Sequence, residues 1–150
     1  MFYRYQLIIL FWLLLGSCNK PSPGFDTGGP ITQYLLGSWK LDKVVSPSKT
    51  KIGNQIGYTN TFESSNEGNG NFDRVYRNDT LIDTYFWSRD PWPIADATKM
   101  TVLVTYRGGL KRFFKIYREL GKDDVLETSA YLSEIGSAQD SVKYYYSRKN

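Results

Sequence analysis

From residue 31 to the C-terminus, the apolar positions fall in short alternating runs divided by turn residues, about eight in all, and helical periodicity is nearly absent. The runs lie near Gly37–Val45, Ile56–Glu63, Asn71–Arg77, Thr80–Ser88, Lys99–Arg107, Leu110–Leu120, Asp124–Ser133 and Ser141–Lys149. Alternation with a period of two predicts strands with one face buried. Asn78-Asp79 and Gly108-Gly109 are short turns able to adopt positive φ, so runs three and four, and runs five and six, are expected to form antiparallel hairpins. Between them, residues 89–98 contain Asp90-Pro91-Trp92-Pro93, and two prolines argue for a surface loop.

In run five, Met100, Val102, Val104 and Tyr106 share the face expected to point inward, opposite Thr101, Thr105 and Arg107. A two-residue turn at Gly108-Gly109 pairs Val104 with Phe113 and Val102 with Lys115, which buries a lysine. A three-residue loop pairs Val104 with Phe114 and Val102 with Ile116, leaves Lys115 in water and is the register expected. Over the whole domain the inward candidates are Tyr58, Phe62, Tyr76, Tyr85, Trp87, Met100, Val102, Val104, Phe114 and Ile116.

The N-terminus has a different pattern. Arg4 precedes an unbroken apolar run, Leu7 to Leu15, too short for the roughly 20 residues that span a bilayer. Leu15-Gly16-Ser17-Cys18 resembles the bacterial lipobox, in which the cysteine takes a diacylglycerol thioether and becomes the new N-terminus. The resemblance implies a signal peptide over residues 1–17, Cys18 as the lipid-attachment residue, and labelling by palmitate. Residues 18–30, with Pro21, Pro23, Gly24, Gly28, Gly29 and Pro30, read as a semi-stiff tether, leaving residues 31–150 as one domain. Asn19-Lys20-Pro21-Ser22 lacks an acidic run resembling a surface-export signal, so the expected place is the outer membrane, facing the periplasm.

Composition narrows the chemistry. With 150 residues, no histidine and one cysteine, the chain has no His-based triad, no Cys/His zinc site and no internal disulfide. Its net charge is +4. Loss of Arg4 with the signal peptide leaves 18 basic against 15 acidic residues, or +3, too small and dispersed a charge to argue for nucleic acid. A carboxylate pair such as Asp83 with Glu127 is the remaining catalytic option, but no spacing selects it, so neither an enzyme, a metal nor a cofactor is expected.

Ile31-Thr32-Gln33-Tyr34-Leu35-Leu36 followed by Gly37-Ser38-Trp39 resembles the opening of the lipocalin-like barrels, a short helical turn and then Gly-x-Trp at the first strand. Tyr144-Tyr145-Tyr146-Ser147-Arg148 is similar to that family's last strand, where an arginine packs over the tryptophan. The second and third lipocalin signature motifs are not recognisable. The resemblance implies an all-β, eight-stranded antiparallel up-and-down barrel after a short N-terminal helical turn, with Gly37, Trp39 and Arg148 closing one end.

A barrel of eight strands either fills itself with side chains or holds one small ligand. In the second case Tyr58, Phe62, Tyr85, Trp87, Val104, Tyr106 and Phe114 are the ligand-binding candidates, with Arg112 or Arg118 near one end, and a small apolar or amphiphilic molecule, such as a fatty acyl chain, is the expected ligand. In the first case the chain is a non-catalytic envelope interaction module whose outer aromatics, drawn from Tyr85-Phe86-Trp87, Trp92 and Tyr144-Tyr145-Tyr146, contact a protein or glycan. Asp79-Thr80-Leu81 and Asp140-Ser141-Val142 also resemble sites at which some bacterial envelopes attach O-glycans.

Overall fold

The structure, a computed structural model, describes residues 34–68, 70–88, 92–96, 99–118 and 121–149, with the backbone alone at 92–96 and 99–100. The expected signal peptide, Cys18 and the expected tether lie outside these residues, as does most of the expected helical turn, of which Tyr34 and Leu35 are helical. No helix among the described residues is long and apolar enough to cross a membrane.

The domain is all-β: β1 (Gly37–Val45), β2 (Thr50–Ile52), β3 (Asn60–Glu67), β4 (Gly70–Arg77), β5 (Thr80–Phe86), β6 (Trp92–Asp96), β7 (Lys99–Thr105), β8 (Lys111–Tyr117), β9 (Val125–Ser129) and β10 (Lys143–Arg148). One antiparallel sheet runs β5-β4-β3-β1-β10-β9-β8-β7-β6, with β2 paired beside β1. The eight strands foreseen from the alternation follow one another as neighbours, the order of an up-and-down, lipocalin-like barrel. The ring meets at one corner. Trp87 bridges to Tyr106, the Ser88 amide donates to the Thr105 carbonyl at 2.8 Å, and the Arg107 amide donates to the Phe86 carbonyl at 2.7 Å.

Two local expectations change. Residues 89–98 are not all loop, because Trp92–Asp96 forms β6 against β7 with Pro93 opposite Val102. The proline is tolerated because β6 ends the sheet, where a missing N–H costs no ladder bond. The β7–β8 loop has the expected three residues, but they are Arg107-Gly108-Gly109, closed by the Tyr106 amide donating to the Leu110 carbonyl. Val104 therefore stands opposite Arg112, Val102 opposite Phe114, and Met100 opposite Ile116. Gly108 and Gly109 hold φ near +89° and +87°, conformations that a side chain would strain. At the other foreseen turn, Asn78 and Asp79 both have positive φ between the paired Arg77 and Thr80.

Alternation places Trp39, Phe62, Val102, Val104, Phe114, Ile116 and Leu126 in the core. Phe62 stacks on Phe114 with centroids 5.5 Å apart. On β4 the inward phase is carried by Asp73 and Val75 rather than Tyr76. Tyr76 stands on the outer face with Arg74 beside Glu63, because neighbouring strand residues point to opposite sides. Lys115 faces outward and pairs with Glu127 at 3.7 Å. The side chains of Met100 and Trp92 fall outside the described part of the structure.

Candidate functional site

One end of the barrel is shut. Trp39 is fully buried and its indole N–H donates to the Leu35 carbonyl at 2.9 Å, so the segment before β1 lies over the barrel end. Arg148 donates from Nη1 to the Leu36 carbonyl at 3.0 Å and from Nη2 to the Tyr34 carbonyl at 2.8 Å. Its guanidinium carbon lies 4.4 Å from the Trp39 ring centroid. Gly37, opposite Ser64 on β3, makes room for this: a Cβ there would stand 2.8 Å from Arg148 Nη1.

The opposite end holds a cavity of about 230 Å³. Its rim includes Arg77, Ile82 and Asp83, all exposed, and its deeper wall includes the buried Arg112 and Tyr146. On β10, Tyr144 and Tyr146 point into the cavity and Arg148 continues the same face to the closed end. Tyr131, just after β9, stacks on Tyr85 with centroids 3.8 Å apart. The walls thus combine five tyrosines with aliphatic and charged side chains, a mixture that orients a ligand having both an apolar and a polar part.

Arg112 is the charged group in the interior wall. It is 4% exposed, its Nε donates to the Ser129 carbonyl at 3.0 Å, and its guanidinium carbon lies 4.3 Å from the Tyr131 ring centroid and 5.2 Å from those of Phe62 and Phe114. Burial opposes its charge, but the surrounding tyrosine oxygens and Asp73 outweigh that and hold its pKa above the ordinary arginine value. Arg112 Nη1 and the Tyr131 hydroxyl are both buried and have no hydrogen-bond partner. Tyr146, by contrast, donates its hydroxyl to Asn60 Oδ1 at 3.0 Å. Burial raises the pKa values of Tyr131, Tyr144 and Tyr146, so these phenols stay protonated and able to donate at neutral pH.

Beside the cavity lies a second buried polar cluster. Tyr106 donates its hydroxyl to Asp73 Oδ2, and both residues are almost wholly enclosed. Desolvation lifts the Asp73 carboxyl to about 6, against the pull of the Tyr106 hydrogen bond and the Arg112 charge. Ser64 and Trp87 lie near enough to lower it further, yet neither Ser64 Oγ nor Trp87 Nε1 makes a well-aligned hydrogen bond.

Of the ligand-binding candidates, Tyr58 and Tyr85 line the cavity. Phe62, Trp87, Val104, Tyr106 and Phe114 do not; they are buried in the core that fills the rest of the barrel. Of the two arginines expected near one end, Arg112 lines the cavity, whereas Arg118 is half exposed and pairs with Asp124 at 3.0 Å. Asp83 and Glu127 do not converge: Asp83 sits on the cavity rim, and Glu127 lies on the outer face, where it accepts from the Tyr117 hydroxyl at 2.7 Å. Thr80 and Ser141 of the two glycan-like tripeptides are exposed. The wall residues not foreseen include Asn60, Arg77, Tyr131, Tyr144 and Tyr146; the period-two spacing of the last two was the available signal. Among the described residues, no group of three or more His, Cys, Asp or Glu side chains is placed to hold a metal ion.

No protein-family model matches this sequence, and no curated protein matches it. Among solved structures, the crystal structure of Treponema pallidum Tp0751 (Pallilysin) is similar at a TM-score of 0.42, with 10% sequence identity, covering 99% of this chain and 98% of that one.

Proposed function

We propose that this chain is a membrane-anchored bacterial lipoprotein, lipidated at Cys18, whose lipocalin-like barrel binds a compact apolar or amphiphilic molecule at the periplasmic face of the outer membrane. The observation that carries the binding reading is the open aromatic cavity at the end of the barrel away from Trp39 and Arg148. At about 230 Å³ it is smaller than the roughly 300 to 1,000 Å³ of pockets that enclose a drug-sized ligand. A short or ring-bearing molecule fits it better than the long acyl chain that an empty barrel would take. The targeting part of the proposal rests on Leu15-Gly16-Ser17-Cys18 and on the apolar run before it.

A second reading is favoured by a different observation. Much of the barrel is solid, and on β5 Leu81 is 49% exposed and Phe86, at the imperfectly closed corner, is 41% exposed. Such a surface suits contact with another envelope protein or a glycan.

Native mass spectrometry of the full lipidated chain, released from detergent after purification from its envelope, separates the two readings. A stoichiometric small molecule retained by the protein supports the binding reading and identifies the ligand class. A mass equal to the lipidated polypeptide, unchanged after incubation with an envelope extract, favours the interaction module.

A further inference from the structure

Resting on the binding reading, we infer that the cavity takes a free α-amino acid with an aromatic or branched side chain, its carboxylate held by Arg77 and its ammonium by Asp83 at the mouth. Both residues line the cavity and both are exposed, so a ligand entering from solvent meets them first. They share the inner face of the β4–β5 hairpin: Asp83 stands opposite Val75, and Arg77 lies two residues further along the same face. Diagonal neighbours of this kind have Cα atoms about 7 to 8 Å apart. The two charges nevertheless do not meet. Arg77 leans over the Tyr58 ring, with its guanidinium carbon 4.7 Å from the centroid, while Asp83 Oδ1 accepts from the Thr84 amide at 2.8 Å. Among the described residues, neither forms an ion pair.

Charge argues for a ligand that carries both signs. In the wall, Asp73 and Arg112 act on each other's ionisation, so above about pH 6 their charges offset, and at the mouth Arg77 offsets Asp83. A ligand with a net charge therefore meets no net countercharge. A carboxylate and an ammonium on one carbon instead match the two separated rim charges together, which is the complementarity that gives specificity. Both rim groups are solvated, so the preference is a several-fold one rather than one of many decades. Behind the mouth, Leu41, Val75 and the Tyr144 ring line the space that receives an apolar side chain. A cavity of about 230 Å³, below the usual size for drug-sized ligands, suits one amino acid rather than a peptide.

The test is calorimetric titration of the full lipidated chain, in nanodiscs of zwitterionic lipid at neutral pH, with phenylalanine and three analogues that keep its ring: 3-phenylpropionate without the ammonium, 2-phenylethylamine without the carboxylate, and 3-phenylpropan-1-ol without either. The expected result is that phenylalanine binds about three- to fivefold more tightly than the acid or the amine, the gain of one exposed ion pair in each comparison. Arg77→Gln removes the advantage over the amine, and Asp83→Asn removes the advantage over the acid. Both side chains are exposed, so the variants are expected to melt with wild-type protein. Equal affinity of phenylalanine with either charged analogue, or advantages that persist in both variants, overturns the amino-acid assignment, while binding of the shared ring keeps the small-ligand reading. Binding of none of the four at millimolar concentration overturns the assignment and counts against the small-ligand reading as well.

Discussion

Arg148 lies across the Trp39 indole at 4.4 Å and reaches past it to two backbone carbonyls, those of Tyr34 and Leu36. One side chain on the last strand therefore caps the tryptophan of the first and ties down the segment that enters it. Asp124 steadies the same arginine at 3.6 Å and also pairs with Arg118.

This arrangement makes the closed end sensitive to small changes. Arg148→Lys loses the fork and the stacking together and is expected to destabilise by about 2 to 4 kcal/mol, from two charged hydrogen bonds and a cation–π contact. Gly37→Ala places a Cβ 2.8 Å from Arg148 Nη1 at a residue whose φ is +127°, and about 2 kcal/mol is expected from strain alone. Urea unfolding reads both, with the midpoint lowered and the slope unchanged. A midpoint within experimental error of wild type in Arg148→Lys contradicts the capping role.

Asp73 gives the domain a pH-dependent weakness. Its folded carboxyl, raised from 3.8 to about 6, holds its proton more tightly than in the unfolded chain. Folded protein therefore binds more protons between these values, and this group's contribution to stability falls as pH rises from about 4 to 6 and is level above. The full swing is about 3 kcal/mol at 1.36 kcal/mol per pKa unit. Asp73→Asn keeps an acceptor for the Tyr106 hydroxyl and removes the ionisation. Its stability relative to wild type should be higher at pH 8 than at pH 4 by about that amount, and a difference independent of pH in paired thermal melts rules this out.

The packed half of the barrel and its open half should respond differently to truncation. Phe114→Ala removes a fully buried ring stacked on Phe62 and beside Arg112, and a loss of about 3 to 5 kcal/mol is expected. Tyr144→Phe, on the cavity wall, should change stability by less than about 0.5 kcal/mol while altering ligand retention. Similar losses in the two variants, measured by chemical denaturation, would show that the cavity wall is part of the core.

Lipidation at Cys18 is expected to place the chain in the membrane fraction and to incorporate labelled palmitate. Cys18→Ala should lose the label and leave the unprocessed precursor. Label retained in the variant would place any acyl group elsewhere on the chain.

Strand positions were legible because alternation is local: a residue and its second neighbour share a face whatever the rest of the chain does. Asn78-Asp79 and Gly108-Gly109 were legible for the same reason, since positive φ at a tight turn is satisfied within a few residues. The β7–β8 register was not. Charge burial argued against placing Lys115 inside, which holds, but the actual register buries Arg112. That is tolerable only because Ser129, Tyr131, Phe62 and Phe114 enclose the guanidinium, and Ser129 and Phe62 lie on other strands.

The amino-acid sequence alone was enough for the all-β class, the eight principal strands and two of the turns, while the expectation that Arg148 packs over Trp39 at one end came from the resemblance to the lipocalin-like barrels. The division of the barrel into a solid half and a cavity arose only on folding. Tyr85 meets Tyr131, Tyr146 meets Asn60 and Tyr106 meets Asp73 across long stretches of chain. A period of two tells which residues face inward, but not whether opposing side chains touch or leave space between them. That depends on curvature and register summed around the whole ring, and here it leaves Arg112 with an unpaired donor in a cavity wall.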